Sequence, residues 1–145
     1  MIRAYKNSDF TKIEAIYNLS KKDEFVGEDF DVLVIPLSED QQMLDLFHGS
    51  SIFIYEKNGI VGFAGVKANY ISWLFVHPDF RGQGIAKKLT LHILSTLNGE
   101  VTLSVASSNI IAITLYENLG FTVIEEFTGK YQGNPIVVCK MRKWI

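Results

Sequence analysis

Apolar residues recur along this chain at two periods, every second position and every third or fourth. Each change of period marks a predicted element boundary. Ile2-Arg3-Ala4-Tyr5 opens as a short strand. Ser8 stands where it can cap a helix, and Phe10, Ile13, Ile16 and Tyr17 follow at helical spacing. Residues 21–37 have no period and are rich in acid. Ser38 with Gln41 three positions later has the form of a capping box, Met43, Leu44 and Phe47 give the next helix one apolar face, and Gly49 ends it. Ser51 to Glu56 alternates as a strand, Asn58-Gly59 signals a tight hairpin, and Ile60 to Lys67 returns as its partner. Tyr70 to Val76 is a third strand of this group. A helix then carries Ile85, Leu89, Ile93, Leu94 and Leu97 and stops at Asn98-Gly99. Val101 to Val105 reads as a strand and Asn109 to Leu119 as a helix closed by Gly120. Phe121 to Phe127 and Ile136 to Met141 form a last hairpin around Gly129 and Gly133-Asn134-Pro135. The order β-α-α-β-β-β-α-β-α-β-β describes an α/β chain, a central mixed sheet flanked by helices on both faces.

Composition narrows the class. A chain of 145 residues with 48% hydrophobic and 21% charged residues forms one domain, residues 1–145, with a real core. There is no internal repeat or low-complexity segment. A net charge of −2 without a basic block gives a nucleic-acid partner no electrostatic support. No apolar run approaches the ~18 residues that span a membrane, and the N-terminus lacks the apolar core of a signal peptide. Cys139 is the single cysteine, so no internal disulfide can form. These features point to a cytoplasmic protein.

The most informative stretch runs from Val76 to Leu89. The apolar run Ile71 to Val76 stops before Pro78, a polar loop with Gly82 and Gly84 follows, and an amphipathic run starts near Ile85. A strand, glycine loop and helix in that order point several N–H groups at one spot, where the helix start adds partial positive charge. Glycine lets a ligand approach the main chain. The expected guest is a phosphate group held by amides more than by side chains.

Arg81-Gly82-Gln83-Gly84-Ile85-Ala86 fits the pattern Gln/Arg-x-x-Gly-x-Gly/Ala of the GNAT N-acetyltransferase superfamily. Asn109, Ala112, Leu115-Tyr116-Glu117 and Leu119-Gly120-Phe121 resemble its second motif at the family's spacing, and the element order matches over nearly the whole chain. The small size and the short hairpin around Lys130-Tyr131-Gln132-Gly133 resemble stand-alone bacterial members. The resemblance implies that acetyl-CoA lies where the parallel strands 70–76 and 101–106 splay apart. Main-chain groups of Leu74, Phe75 and Val76 would pair with the pantetheine arm. An amide near Leu74 would polarise the thioester carbonyl. Amides from Gly82 through Gln83, Gly84, Ile85 and Ala86 to Lys87 would hold the pyrophosphate, next to Arg81. Asn109 would contact the arm of the carrier, and Tyr116 would sit beside the sulfur.

The expected reaction moves an acetyl group from acetyl-CoA to a primary amine on a small molecule, peptide or protein, by direct attack in a ternary complex. The chain would act as a monomer or homodimer. A lysine-like ammonium, pKa ~10.4, must lose a proton at a cost of about 4–5 kcal/mol at pH 7, and the departing thiolate needs one back. A tyrosine hydroxyl is protonated at neutral pH and can donate, which makes Tyr116 the candidate general acid; the other reading of Tyr116 is core packing. Relatives often carry a glutamate at the place of Tyr70 or of Ser104. Neither is acidic here, so the resemblance names no general base. Asp23, Glu24, Glu28, Asp29 and Asp31 cluster in the aperiodic segment among Phe25, Val26 and Phe30. Glu28 or Asp29, with Tyr70, is expected to face the acceptor cleft, where negative potential would draw in a cationic amine. The alternative is a solvated loop.

His48, His77 and His92 show no metal-ligand spacing, so no metal is expected. Cys139 reads as a buried, inert thiol and Trp73 as a core residue alongside Ile71 and Phe75. Two other functions fit parts of the pattern. A non-catalytic CoA-binding module is supported by the absent glutamates. A nucleotide-binding α/β protein would use the same loop, which lacks the lysine–serine/threonine pair of a P-loop and the third glycine of a dinucleotide fingerprint.

Overall fold

The computed structural model describes residues 1–145. Its strands are β1 (Ile2–Ala4), β2 (Ser51–Glu56), β3 (Ile60–Lys67), β4 (Tyr70–Val76), β5 (Glu100–Ala106), β6 (Thr122–Tyr131) and β7 (Asn134–Trp144). They form one seven-stranded sheet in the order β1-β2-β3-β4-β5-β7-β6. Every neighbouring pair is antiparallel except β4 and β5, which run parallel. The helices are α1 (Phe10–Ser20), α2 (Gln41–His48), α3 (Ile85–Ser95) and α4 (Ile110–Asn118). Order and class are those the apolar pattern predicts.

Strand alternation gives the sheet an apolar set on each face, and each set is covered by helices. On one face Ile13, Ile16 and Tyr17 of α1 and Phe47 of α2 cover Phe63, Trp73 and Phe75. On the other, Leu89 and Ile93 of α3 and Tyr116 of α4 cover Ala64, Val101, Leu103 and Met141. Trp73 is buried as expected, but it does not share a face with Ile71. The register slips between Gly65 and Val66 opposite this stretch, which leaves Ser72 out of the pairing and turns Ile71 into the second core. Gly65 is required there, because a Cβ would stand 2.6 Å from Ile52 Cδ1 and 2.9 Å from Trp73 Cδ1.

Three local expectations are corrected. Ser8 does not cap α1. It lies in a 3-10 turn, Asn7–Asp9, and the turn is held by the Asp9 carboxylate, which accepts from Lys6 N at 2.9 Å and from both Arg3 Nη atoms at 2.8 Å. Ser38 does not cap α2 either. Asp40 does, accepting from Met43 N at 3.2 Å, while Ser38 belongs to the preceding 3-10 turn, anchored by the fully buried Leu37. Aspartate caps as well as serine does, and the position of Leu37 decides between them. The last hairpin is longer than its apolar runs. It turns at Gln132-Gly133, with φ +50° and +79°, so Gly129 and Pro135 lie within paired strands. Pro135 is tolerated because the β5 ladder ends at Ala106 opposite Val138, leaving only β6 beside it.

Candidate active site

The two parallel strands part almost at once. Tyr70 opposite Thr102 is their single paired position, supported by Thr102 N donating to Asn69 O at 3.0 Å. β5 stays paired along its length to β7, so residues 71–76 of β4 face β5 with no strand partner. Pro78 ends β4, and a 3-10 turn, Pro78–Phe80, leads into the glycine loop, with His77 Nδ1 accepting from Asp79 N at 3.1 Å. A cavity of about 380 Å³ fills the parting.

Of the residues the sequence assigns to the carrier, Leu74, Phe75, Val76, Arg81 and Gly82 line this cavity, as do Gly84, Ile85, Ala86, Lys87 and Asn109. Gly82 and Gly84 hold φ of +76° and +78°, and a Cβ built on either meets nothing within 4 Å. Glycine is therefore needed for the left-handed backbone, and the space above it is open. No side chain caps α3. The amides of Ile85, Ala86 and Lys87 have no acceptor inside the helix and face the loop.

The side chains of two predicted loop residues are engaged with the protein itself. Gln83 turns away, its Oε1 accepting from Lys57 Nζ at 2.8 Å. Arg81 lines the cavity but pairs with Asp23 at 2.7 Å and donates to Val76 O at 3.3 Å, which ties the glycine loop to the segment after α1. Asn109 caps α4, its Oδ1 accepting from Ala112 N at 3.3 Å.

A second cavity, about 270 Å³, lies beside the first, and Glu24, Leu74, Asn109 and Ala112 line both. Tyr116 lines the second cavity, only 7% exposed, its ring edge-on to Phe121 at 5.7 Å. Burial, then the nearby Glu24 carboxylate, then Tyr70 push its hydroxyl above the ordinary tyrosine range. Phe25 stacks on Tyr131 at 4.2 Å to form one wall. Lys21 Nζ sits 5.7–5.8 Å from the ring centres of Tyr17, Phe25 and Tyr131 and pairs with Glu24 Oε2 at 2.6 Å.

The residues expected at an acceptor cleft lie outside these two cavities. Tyr70 is at the paired end of β4, Glu28 bonds Ser108 Oγ, and Asp29 is exposed. Sequence reasoning named Glu24 within the acidic cluster but chose Glu28 or Asp29 from it, and it missed Lys21 and Tyr131. The available signal was the i,i+3 spacing of Lys21 and Glu24 just past α1, in a segment without a period. Cys139 is buried in β7, and burial followed by Glu126 raises its thiol pKa, away from the reactive thiolate.

A mixed sheet parted between two parallel strands, with a glycine loop opening a helix at the parting, defines the acetyl-CoA-dependent acetyltransferase class. The chain belongs to the family described as the Acetyltransferase (GNAT) domain, whose model matches residues 5–144. It is 39% identical over 116 residues to the human Cysteine-rich protein 2-binding protein, covering 73% of this chain and 14% of that protein. It is 35% identical over 72 residues to the Peptidyl-lysine N-acetyltransferase YjaB of Salmonella typhimurium, covering 50% of this chain and 49% of that one. The chain thus spans half or less of the length of these curated relatives. Its fold matches yncA, a putative acetyltransferase from Salmonella typhimurium solved with acetyl-CoA, at a TM-score of 0.72 and 21% identity over 99% of this chain and 92% of that one.

Proposed function

We propose that this protein transfers an acetyl group from acetyl-CoA to a primary amine by direct attack within a ternary complex. The observation that carries the reading is the pair of adjoining cavities at the parted strands, one opening on the glycine loop and the other on Tyr116. Amides of residues 82–87 hold the diphosphate. Hydrogen bonds to a charged group contribute about 1.5–3 kcal/mol each. The helix dipole adds only about 0.3–1 kcal/mol, so backbone access outweighs it. The free edge of β4 receives the pantetheine arm as an added strand, and the Leu74 amide polarises the thioester carbonyl. Asn109 borders both guests.

The amine enters from the second cavity and its nitrogen attacks the carbonyl carbon. Tyr116, protonated at neutral pH as a tyrosine ordinarily is, gives its proton to the departing thiolate. We propose no covalent enzyme intermediate: the one thiol, Cys139, lines neither cavity, and no histidine lines them to activate a serine. YjaB is named for peptidyl-lysine, so a lysine side chain is one acceptor class to be tried. The lone cysteine suits a cytoplasmic setting. No helix is long and apolar enough to cross a membrane.

The test is to incubate the protein with acetyl-CoA and a panel of amines, and to follow free thiol. The panel would hold a lysine-containing peptide, a peptide with a free α-amine, a polyamine and an aromatic amine. Amine-dependent thiol release is expected. Binding of acetyl-CoA without release with any amine would favour the non-catalytic CoA-binding module instead.

A further inference from the structure

We infer that Glu24 takes the proton from the acceptor amine, and that Lys21 holds it in place for that task. The inference rests on the transfer reaction proposed above and supplies the base that the positions of Tyr70 and Ser104 lack. Four residues line both cavities, and Glu24 is the ionisable one; the others are Leu74, Asn109 and Ala112. Glu24 therefore borders both the cavity proposed for the carrier and the one proposed for the amine.

Local structure fixes it there. Glu24 lies on the 3-10 segment Lys21–Phe25 that continues α1. Lys21 Nζ engages Oε2 at 2.6 Å, and Oε1 has no partner in the protein. The Lys21 side chain is 14% exposed and surrounded by the rings of Tyr17, Phe25 and Tyr131, so it anchors the carboxylate rather than moving with it. The Glu24 side chain is 38% exposed, which gives a proton a way out to water. Neighbouring acids are engaged otherwise: Asp23 pairs with Arg81, and Glu28 bonds Ser108 Oγ. The titratable groups around Glu24 are Lys21 and Asp23 on its own segment, Tyr17 from α1, Tyr116 from α4 and Tyr131 from β6.

The protons balance. The acceptor ammonium gives its first proton to Glu24 Oε1, which passes it to water. The freed lone pair forms the C–N bond at the thioester carbon, and the C–S bond breaks with its electron pair on sulfur. Tyr116 protonates that sulfur and recovers a proton from the second N–H lost by nitrogen, leaving an amide with one N–H and CoA as a thiol.

The experiment uses the full chain and the amine of the panel that it turns over fastest. Glu24→Gln and Glu24→Ala are expected to lower kcat by at least about 10²-fold. Acetyl-CoA Kd by calorimetry should stay within about threefold, since the carbonyl and diphosphate contacts are elsewhere. Formate added to the Glu24→Ala enzyme should restore turnover in proportion to its concentration, a response no structural role would give. Lys21→Met should lower kcat while leaving the KM for amine near its starting value. Glu24 variants with kcat within about threefold of the parent, or a Glu24→Ala enzyme indifferent to formate, would overturn the assignment while leaving the transfer reading standing. A parent protein that binds acetyl-CoA but acetylates nothing would overturn both.

Discussion

Tyr116 combines a ring packed in the α3 side of the core with a place on the wall of the second cavity, so both of its sequence readings hold at once. Replacing it by Phe keeps the ring and removes the acid. Tyr116→Phe is expected to lower kcat by about 10²–10⁴-fold while acetyl-CoA affinity by calorimetry changes by less than about threefold. Asp9 is a purely structural counterpart. It is 4% exposed and accepts from Arg3 and Lys6, and the Arg3 hydrogen bonds are the main reason its carboxyl lies below the ordinary range. Asp9→Ala should cost about 1–3 kcal/mol in urea unfolding, because it strips a buried cluster of its acceptor. With a depressed folded value, the Asp9 contribution is present above about pH 4 and fades as pH falls through that lowered value. Asn109 and Tyr116 were legible through the resemblance of the stretch from Asn109 to Phe121 to a family motif, not through helical period. The structure puts Asn109 at the N-cap of α4 and Tyr116 within it. Glu24 was not singled out in the sequence, since the 3-10 segment that aims it leaves no apolar repeat to orient it.

The strand–loop–helix from β4 to α3 is the element on which binding turns. Its glycines were legible as points where a ligand can approach the main chain, and the structure adds a second reason: both hold positive φ, and the open space above them is what a diphosphate would fill. Gly84→Glu should abolish acetyl-CoA binding by calorimetry while the far-ultraviolet circular dichroism stays that of a folded chain, since the new side chain enters that space with the wrong charge. Gly84→Ala should bind more weakly and lose about 1–2 kcal/mol of stability from left-handed strain. The parting of β4 from β5 was implied by the family resemblance alone. Nothing in either apolar run says where pairing stops, because the single matched position, Tyr70 with Thr102, is set by the connection through α3 rather than by the strands. The long final hairpin was under-read for a related reason: β6 is exposed along almost its whole length, so no buried stripe marks its end.

Across the fold, both helical layers bury tyrosines beside the site. Burial is the first cause that raises the hydroxyls of Tyr17, Tyr116 and Tyr131. Below about pH 10 these groups are protonated folded or unfolded, so they impose no pH dependence. Above it the unfolded chain releases protons that the folded chain keeps. The tyrosine contribution to stability, measured by thermal unfolding of the parent against Tyr→Phe variants, should therefore be flat up to about pH 10 and fall beyond it. The same sheet that buries them also separates at its middle, and the central claim is that acetyl-CoA docks in that separation on the backbone of residues 82–87 and the free edge of β4. Titrating ¹⁵N-labelled protein with acetyl-CoA and following the amide resonances tests it most directly. The account predicts that the largest shifts fall on residues 74–76 and 82–87; saturating ligand that leaves those amides unmoved, or shifts a different surface, would contradict it.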